Sequence, residues 1–196
     1  MDPITLIKRY YPPEEKAFEV LVDHGTKVAQ KALAVAKRVT GYALDLDFIR
    51  EAAILHDIGM IHTRAYALGC FGIEPYIRHG VIGRRLLESE GLFRHALVCE
   101  RHVGAGISEA DIRSQGLPLP CRSMEPVTIE ERIICYADKF FSKTADANAG
   151  EKSLGRVFTE LSRLGEGTFT RFKTWVRQFE PELLDAPIPH YESHLR

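Results

Sequence analysis

The sequence is short of several features, each of which would have named a function class. None of its apolar runs approaches the ~20 residues needed to cross a bilayer. Its opening stretch, MDPITLIKRYYPPEEK, lacks the charged-then-apolar order of a signal peptide. The four cysteines, Cys70, Cys99, Cys121 and Cys135, form no CxxC pair, and three of them lie in apolar surroundings. That is the pattern of reduced core thiols in a cytoplasmic protein. Neither sign of charge is in excess: 26 Lys and Arg against 27 Asp and Glu leave a net charge of −1. Nothing therefore requires a nucleic-acid polymer or an anionic membrane as partner, although a local basic pocket stays open. There is no internal repeat, no low-complexity segment and no linker that would divide the chain.

What is present is helix periodicity. The 196 residues, 45% hydrophobic and 27% charged, suffice for one domain with a real core. The expected unit is 1–196, with a core at about 20–145 and C-terminal helices over 150–185 packed on it. The expected fold class is all-α. After Pro12–Pro13 a helix runs through VDHGTKVAQKALAVAKRVTG, with a break near Gly25 and a stop at Gly41. DLDFIREAAILHD is a second helix, with Asp47 as cap and Gly59 as stop. YIRHGVIGRRLLESEG and LFRHALVCERHV follow, then a short helix SEADIRSQG with Ser108 as N-cap. The three prolines of LPLPCRSMEP make a loop. TIEERIICYADKFFSKTA opens on Thr128 and Glu131, a capping box. SLGRVFTELSRLG and TFTRFKTWVRQFEPELL end the helical set; no strand is expected, and the tail DAPIPHYESHLR reads as extended. Phe169, Phe172, Trp175, Val176 and Phe179 give the last helix an apolar face for the core, with a homodimer as its other use.

Several polar residues fall on apolar faces. His24 lies with Leu21, Val28, Ala32 and Val35; His79 with Ile82, Gly83 and Leu86; His102 with His95, Val98 and Cys99. Asp138 lies in the stripe of Ile134, Phe141 and Ala145, and His56–Asp57 end an apolar helix in LHDIGM. A carboxylate on such a stripe is costly to bury unless it is paired or metal-bound. Each group could be satisfied alone. Together, six groups of metal-ligand type in five helices have one economical solution, which is to converge on cations through neutral His nitrogen and ionised Asp oxygen. His62, just after the motif, is a candidate pocket residue; His95 is a helix-surface or core residue, and His190 and His194 belong to a solvated tail.

The order His24, His56–Asp57, Asp138, with HDIG at its centre and YADKF around the last member, resembles the HD superfamily of metal-dependent phosphohydrolases. IRHGVIGRRLLE, ERHVGAGI, GLPL and TIEERIICYADK are similar to small stand-alone HDIG-type proteins, and the resemblance covers about residues 20–145. It implies a helical bundle in which His24, His56, Asp57 and Asp138 bind one metal. His79 and His102 would serve a second, with Asp57 bridging. Two divalent ions, Fe or Mn before Mg, Zn, Ni or Co, would then activate water against a nucleotide or other small phosphate ester. Two departures stand out. His102 is followed by Val103 where some two-metal branches have consecutive histidines, which implies an open position filled by water. Met60 stands where several branches place a lysine.

Candidates for holding the substrate phosphate are Lys27, Arg64, Arg78, Arg101 and Lys139, with His62. Gly104 in GAGIS joins them, because backbone N–H groups there can approach an anion, with Ser108 at the following helix start; a plain turn is the alternative. Some HD-fold proteins use the same six ligands for a di-iron centre that performs oxygen-dependent cleavage, and ligand type does not separate the two chemistries. A non-catalytic nucleotide-binding module is the third reading; a pure binder has no need of six costly buried groups.

Overall fold

The computed structural model describes residues 1–143 and 150–184. The tail with His190 and His194, and Ala145 of the Asp138 stripe, lie outside the described residues. Among the described residues the fold is all-α: nine α-helices, four short 3-10 helices and one two-stranded ribbon. No helix there is long and apolar enough to cross a membrane.

A short helix that the sequence reading missed, α1 (Pro3–Ile7), starts at Asp2, whose carboxylate accepts the Ile4 and Thr5 N–H groups. The central element is α2 (Lys16–Ala36), which packs on α3 (Leu46–Leu55) and α7 (Ile129–Asp138). It runs unbroken through Gly25. A Cβ there would meet the Ile54 carbonyl oxygen at 2.8 Å and its Cα at 2.9 Å, so this glycine lets two helices touch and does not break one. The helix also ends at Ala36, ahead of Gly41. The cap of α3 is Asp45, which accepts the Phe48 N–H at 2.9 Å, and the expected cap Asp47 sits in the first turn.

The second helix does not run to Gly59. α3 stops at Leu55, His56 is its C-cap, and Asp57 leaves helical geometry at φ −105°, ψ 9°. A 3-10 helix, Ile58–His62, follows and contains Gly59. Its glycine is required by packing: a Cβ at Gly59 would lie 2.2 Å from the His79 carbonyl oxygen and 2.3 Å from the Gly83 nitrogen. Those atoms belong to α4 (His79–Ser89), which packs along α5 (Phe93–Arg101). Arg64–Ala65 (β1) and Cys70–Phe71 (β2) form an antiparallel ribbon, where no strand was expected. Two residues per strand leave no alternation to read.

α6 (Glu109–Gln115) carries a full capping box between Ser108 and Asp111. The start of α7 has half of one. The Thr128 hydroxyl accepts the Glu131 N–H at 3.2 Å, but the Glu131 carboxylate accepts from Val127 N–H at 2.7 Å instead of from the cap residue. α7 then ends at Asp138, short of the run expected from its sequence. α8 (Leu154–Ser162) and α9 (Glu166–Phe179) follow. Phe172, Trp175, Val176 and Phe179 of α9 are buried, and Phe172 stacks on Tyr136 of α7 at 5.2 Å. The Tyr136 hydroxyl donates to Glu180 at 2.7 Å. The apolar face of α9 is thus covered within the chain. Cys70, Cys99 and Cys135 are buried free thiols and Cys121 is exposed.

The two glycine classes predict different costs. Gly59→Ala forces backbone against backbone and should destabilise by ~3 kcal/mol or more. Gly41→Ala, at φ +83° with nothing within 4 Å, should lose only the left-handed strain, on the order of 1 kcal/mol. Urea unfolding of both variants in chelator reads the difference; equal losses would contradict the close-approach role of Gly59.

Candidate metal centre

The helices place their ends at one point. His56 caps the C-terminus of α3, His102 caps that of α5, and Asp138 is the last residue of α7. His79 opens α4, and His24 alone comes from mid-helix. All six residues including Asp57 are buried, none more than 4% exposed. Three helix C-termini at one place add roughly half a negative charge each, which favours a cation there.

The distances are short. His24 Nε2 lies 2.9 Å from Asp138 Oδ1 and 3.4 Å from Asp57 Oδ2. His56 Nε2 lies 3.1 Å from Asp57 Oδ2 and 3.4 Å from Asp138 Oδ1. On the other side of Asp57, Oδ1 is 3.2 Å from both His79 Nε2 and His102 Nε2. Asp57 therefore has one oxygen toward the His24–His56 pair and one toward the His79–His102 pair. Two groups, His24–His56–Asp138 and His56–Asp57–His102, each have donor atoms close enough to hold a metal ion.

The imidazole tautomers follow from the hydrogen bonds. His56 Nδ1–H donates to Ala53 C=O at 2.6 Å, His79 Nδ1–H to Tyr76 C=O at 2.7 Å, and His102 Nδ1–H to Cys99 C=O at 2.8 Å. A neutral ring so bonded keeps a bare lone pair on Nε2. His79 Nε2 and His102 Nε2 face each other at 3.1 Å. Two bare lone pairs at that distance repel, so either a proton shared between the rings or a cation has to lie against them. Both Asp57 oxygens and His56 Nε2 are buried without an aligned hydrogen-bond partner. Orphaned donors of these types fit a divalent metal.

Electrostatics agree. Burial works to raise the Asp57 carboxyl, but the charges of His56 and Lys143 hold it well below the usual carboxylate range. Asp138 is likewise held well below it, against burial, by Lys139 and Lys143. Burial pushes His102 down to about 3, against the pull of Asp57, so this ring is neutral. His56 goes the other way: against burial, Asp57 and Asp138 raise it to about 9. Without a metal, one proton on His56 takes up part of the negative charge.

A cavity of about 510 Å³ adjoins this cluster, lined by Asp138, Lys139, Lys143, Tyr76 and Gly104 among others. Of the substrate residues expected from sequence, the structure brings Lys139 and Gly104 to it. Lys139 Nζ donates to His102 C=O at 3.0 Å and pairs with Asp138. The rest are placed elsewhere. Lys27 pairs with Asp23 at 2.8 Å and lines a different cavity, with Lys31 and Arg38. Arg78 holds Glu74 and Pro118 C=O, each at 2.9 Å. Arg101 is committed to the buried Glu131 at 2.9 Å. His62 and Arg64 are exposed on the 3-10 helix and on β1. Ser108 spends its side chain on the cap of α6, so GAGIS acts as a turn.

Two site residues were missed. Lys143 Nζ lies 3.0 Å from Asp57 Oδ2. Burial works against its charge, but Asp57 raises its pKa well above the ordinary lysine value. Tyr76 stacks on His79 at 4.7 Å, and burial pushes its hydroxyl up to about 12, which keeps it a donor. Lys143 was hidden because α7 was expected to continue, which would have turned this side chain away; the chain turns at Asp138 instead.

Comparison with known proteins gives the chain's relatives. The chain is 34% identical to an uncharacterized protein of Methanocaldococcus jannaschii over 155 residues, 74% of this chain and 84% of the other. It is 32% identical over 139 residues to a tRNA (cytidine(56)-2'-O)-methyltransferase of Thermoplasma volcanium, and 30% over 129 residues to one of Picrophilus torridus. These alignments cover 70% and 65% of this chain but only 34% and 33% of the methyltransferases. No solved structure matches the chain. The HD domain family matches residues 21–142, a span that contains all six clustered His and Asp residues. An all-α chain with that match, folded so that those residues meet, belongs to the HD domain family, whose members are generally metal-dependent hydrolases.

Proposed function

We propose that the protein is a phosphohydrolase that acts on a nucleotide or other small phosphate ester through two divalent cations. His24, His56, Asp57 and Asp138 would hold one ion, and Asp57, His79 and His102 the other. Fe or Mn suits this mixed imidazole and carboxylate set. The observation that carries the reading is the convergence of four histidine nitrogens on the two oxygens of Asp57, which lack an aligned hydrogen bond, with His79 and His102 facing each other at 3.1 Å. When bound, such ions supply water of lowered pKa as nucleophile and polarise a phosphoryl oxygen.

The chain's own part is to bind and neutralise the ester. Lys139 and Lys143 flank the carboxylates in the lining of the cavity, each largely shielded from solvent, with 12% and 18% side-chain exposure. Shielded ammonium groups beside phosphorus stabilise the charge that develops on its oxygens. Lys143 supplies, from beyond α7, a cation that Met60 does not; Met60 is fully buried in the core. Tyr76 adds a protonated hydroxyl at the same wall. The buried cluster excludes bulk water from the reacting groups, which strengthens each of these interactions. Two relatives carry a methyltransferase name over chains about three times as long as the aligned part, so methyl transfer is not carried over to this chain.

With Mn²⁺ or Fe²⁺ present, the protein should release phosphate from phosphomonoesters, cyclic nucleotides or dinucleotides. Asp57→Asn should lower kcat by at least ~100-fold. Lys143→Ala should lower kcat/KM by roughly tenfold to a hundredfold while metal content is kept. Oxygen uptake on a phosphonate or polyol with no phosphate release from any ester would overturn the reading.

The protonation pattern gives a second test. His56 titrates near 9 in the folded chain and near 6.5 when unfolded. Its contribution to stability is complete below pH ~6.5 and is lost as pH rises toward 9. His24, His95 and His102 are lowered, so they oppose this fall up to about pH 7, where their unfolded forms still bind protons, and little above it. Urea unfolding in chelator should therefore show stability falling between about pH 7 and 8.5, below the thiol range. Saturating metal should remove the fall, because a ligating nitrogen carries no proton. The same fall with and without metal would contradict the assignment of His56.

A further inference from the structure

The cavity beside the centre has an unlike lining. Asp138, Lys139, Lys143 and Tyr76 give it charged and polar groups, and Val157, Leu161 and Leu164 give it an apolar wall. Val157 and Leu161 belong to α8, and Leu164 follows it; all three lie outside the 21–142 segment that matches the HD family. This wall is therefore built by the chain's own C-terminal part. Its position is fixed from behind: Phe158 of α8 meets Phe169 and Phe172 of α9 edge-on at 5.2 and 6.1 Å. In front, Leu164 stands over the backbone at Gly104, its Cδ1 3.7 Å from where a Cβ on that glycine would lie. Gly104 has φ +64° and no side chain to fill the cavity. Lys152 and Glu160, paired at 2.7 Å, line the same cavity.

We propose that α8 and Leu164 form a leaving-group subsite, and that the substrate is a phosphate ester whose organic part is a compact apolar ring. The proposal rests on the phosphohydrolase reading for the placement of the phosphoryl group beside Lys139 and Lys143. Continuity fixes the occupant. A phosphoryl group held by Lys139 and Lys143 directs the rest of its ester along the same cavity, onto Leu161 and Leu164. A polyol or a polyphosphate chain laid against Val157, Leu161 and Leu164 would lose hydration there, and Lys152 and Glu160 spend their charges on each other. A cavity of about 510 Å³ accommodates one phosphoryl group and one ring system.

The test separates the subsite from the chemistry by using ligands that cannot be hydrolysed. Phenylphosphonate and methylphosphonate are titrated calorimetrically into the Mn²⁺-loaded full chain. Phenylphosphonate should bind about tenfold more tightly or better, which requires only roughly 60 Å² of ring surface to leave water. Leu164 is 51% exposed, so its replacement should leave the fold intact. Leu164→Asp should bring the ratio to about 1 with methylphosphonate affinity unchanged within about twofold, and the milder Leu164→Ala should lower the ratio about threefold. Equal affinities in the wild-type chain, or a preference that survives Leu164→Asp, would overturn the subsite even where phosphate release upholds the hydrolase. A preference that Leu164→Asp abolishes, in a chain that hydrolyses no ester, upholds the subsite and refutes the hydrolase.

Discussion

Four imidazole rings and two carboxylates occupy one buried space, and their charge and lone pairs have to be compensated there. Asp57 is the pivot. It is fully buried, its two oxygens point to different histidine pairs, and neither has an aligned hydrogen bond. Desolvating an unpaired carboxylate is among the most costly things a fold can do. Lys143 and a protonated His56 offset part of that cost. The opposed nitrogens of His79 and His102 are compensated by neither. Much of the architecture can be understood as the means of bringing these groups together and holding them in one protonation state.

The means are helix ends and close contacts. A side chain at a C-cap can donate Nδ1–H to the carbonyl three residues back, and His56 and His102 both do so. The donation turns Nε2 inward and fixes its tautomer. Gly25 and Gly59 bring α2 onto α3 and the 3-10 helix onto α4 at backbone distance, which no other residue would permit. Thiols occupy the layer behind. Cys135 Sγ donates to His102 C=O and Cys99 Sγ to Leu55 C=O, both at 3.3 Å. Small, weakly polar groups fit positions where a larger polar side chain would compete for the ligands' partners.

The six residues of the buried cluster were legible in the sequence. His24, His79, His102 and Asp138 fall on apolar stripes at helical spacing, and a buried ligand needs such a place. The all-α class followed from the same periodicity. What misled was punctuation. Gly59 reads as a helix stop and Gly25 as a break, because sequence shows a missing side chain but not the neighbour that requires it. The true end of α3 at Leu55 carries no glycine or proline. It is set by the packing that pulls His56 and Asp57 inward. The same difficulty hid Lys143. The apolar repeat of α7 continues past Asp138 in the sequence, while the helix ends there. Arginines were over-read for the opposite reason: Arg78 and Arg101 sit near ligands along the chain, yet each is held by a carboxylate that sequence distance conceals.

Cations in the cluster are the central requirement of this arrangement of side chains. Metal-stripped protein titrated with Mn²⁺ in a calorimeter should take up two ions per chain. Asp57→Asn should lose both, because its two oxygens face both histidine pairs, and His102→Ala should lose one. Absence of binding, or Asp57→Asn that still takes up two ions at wild-type affinity, would contradict it.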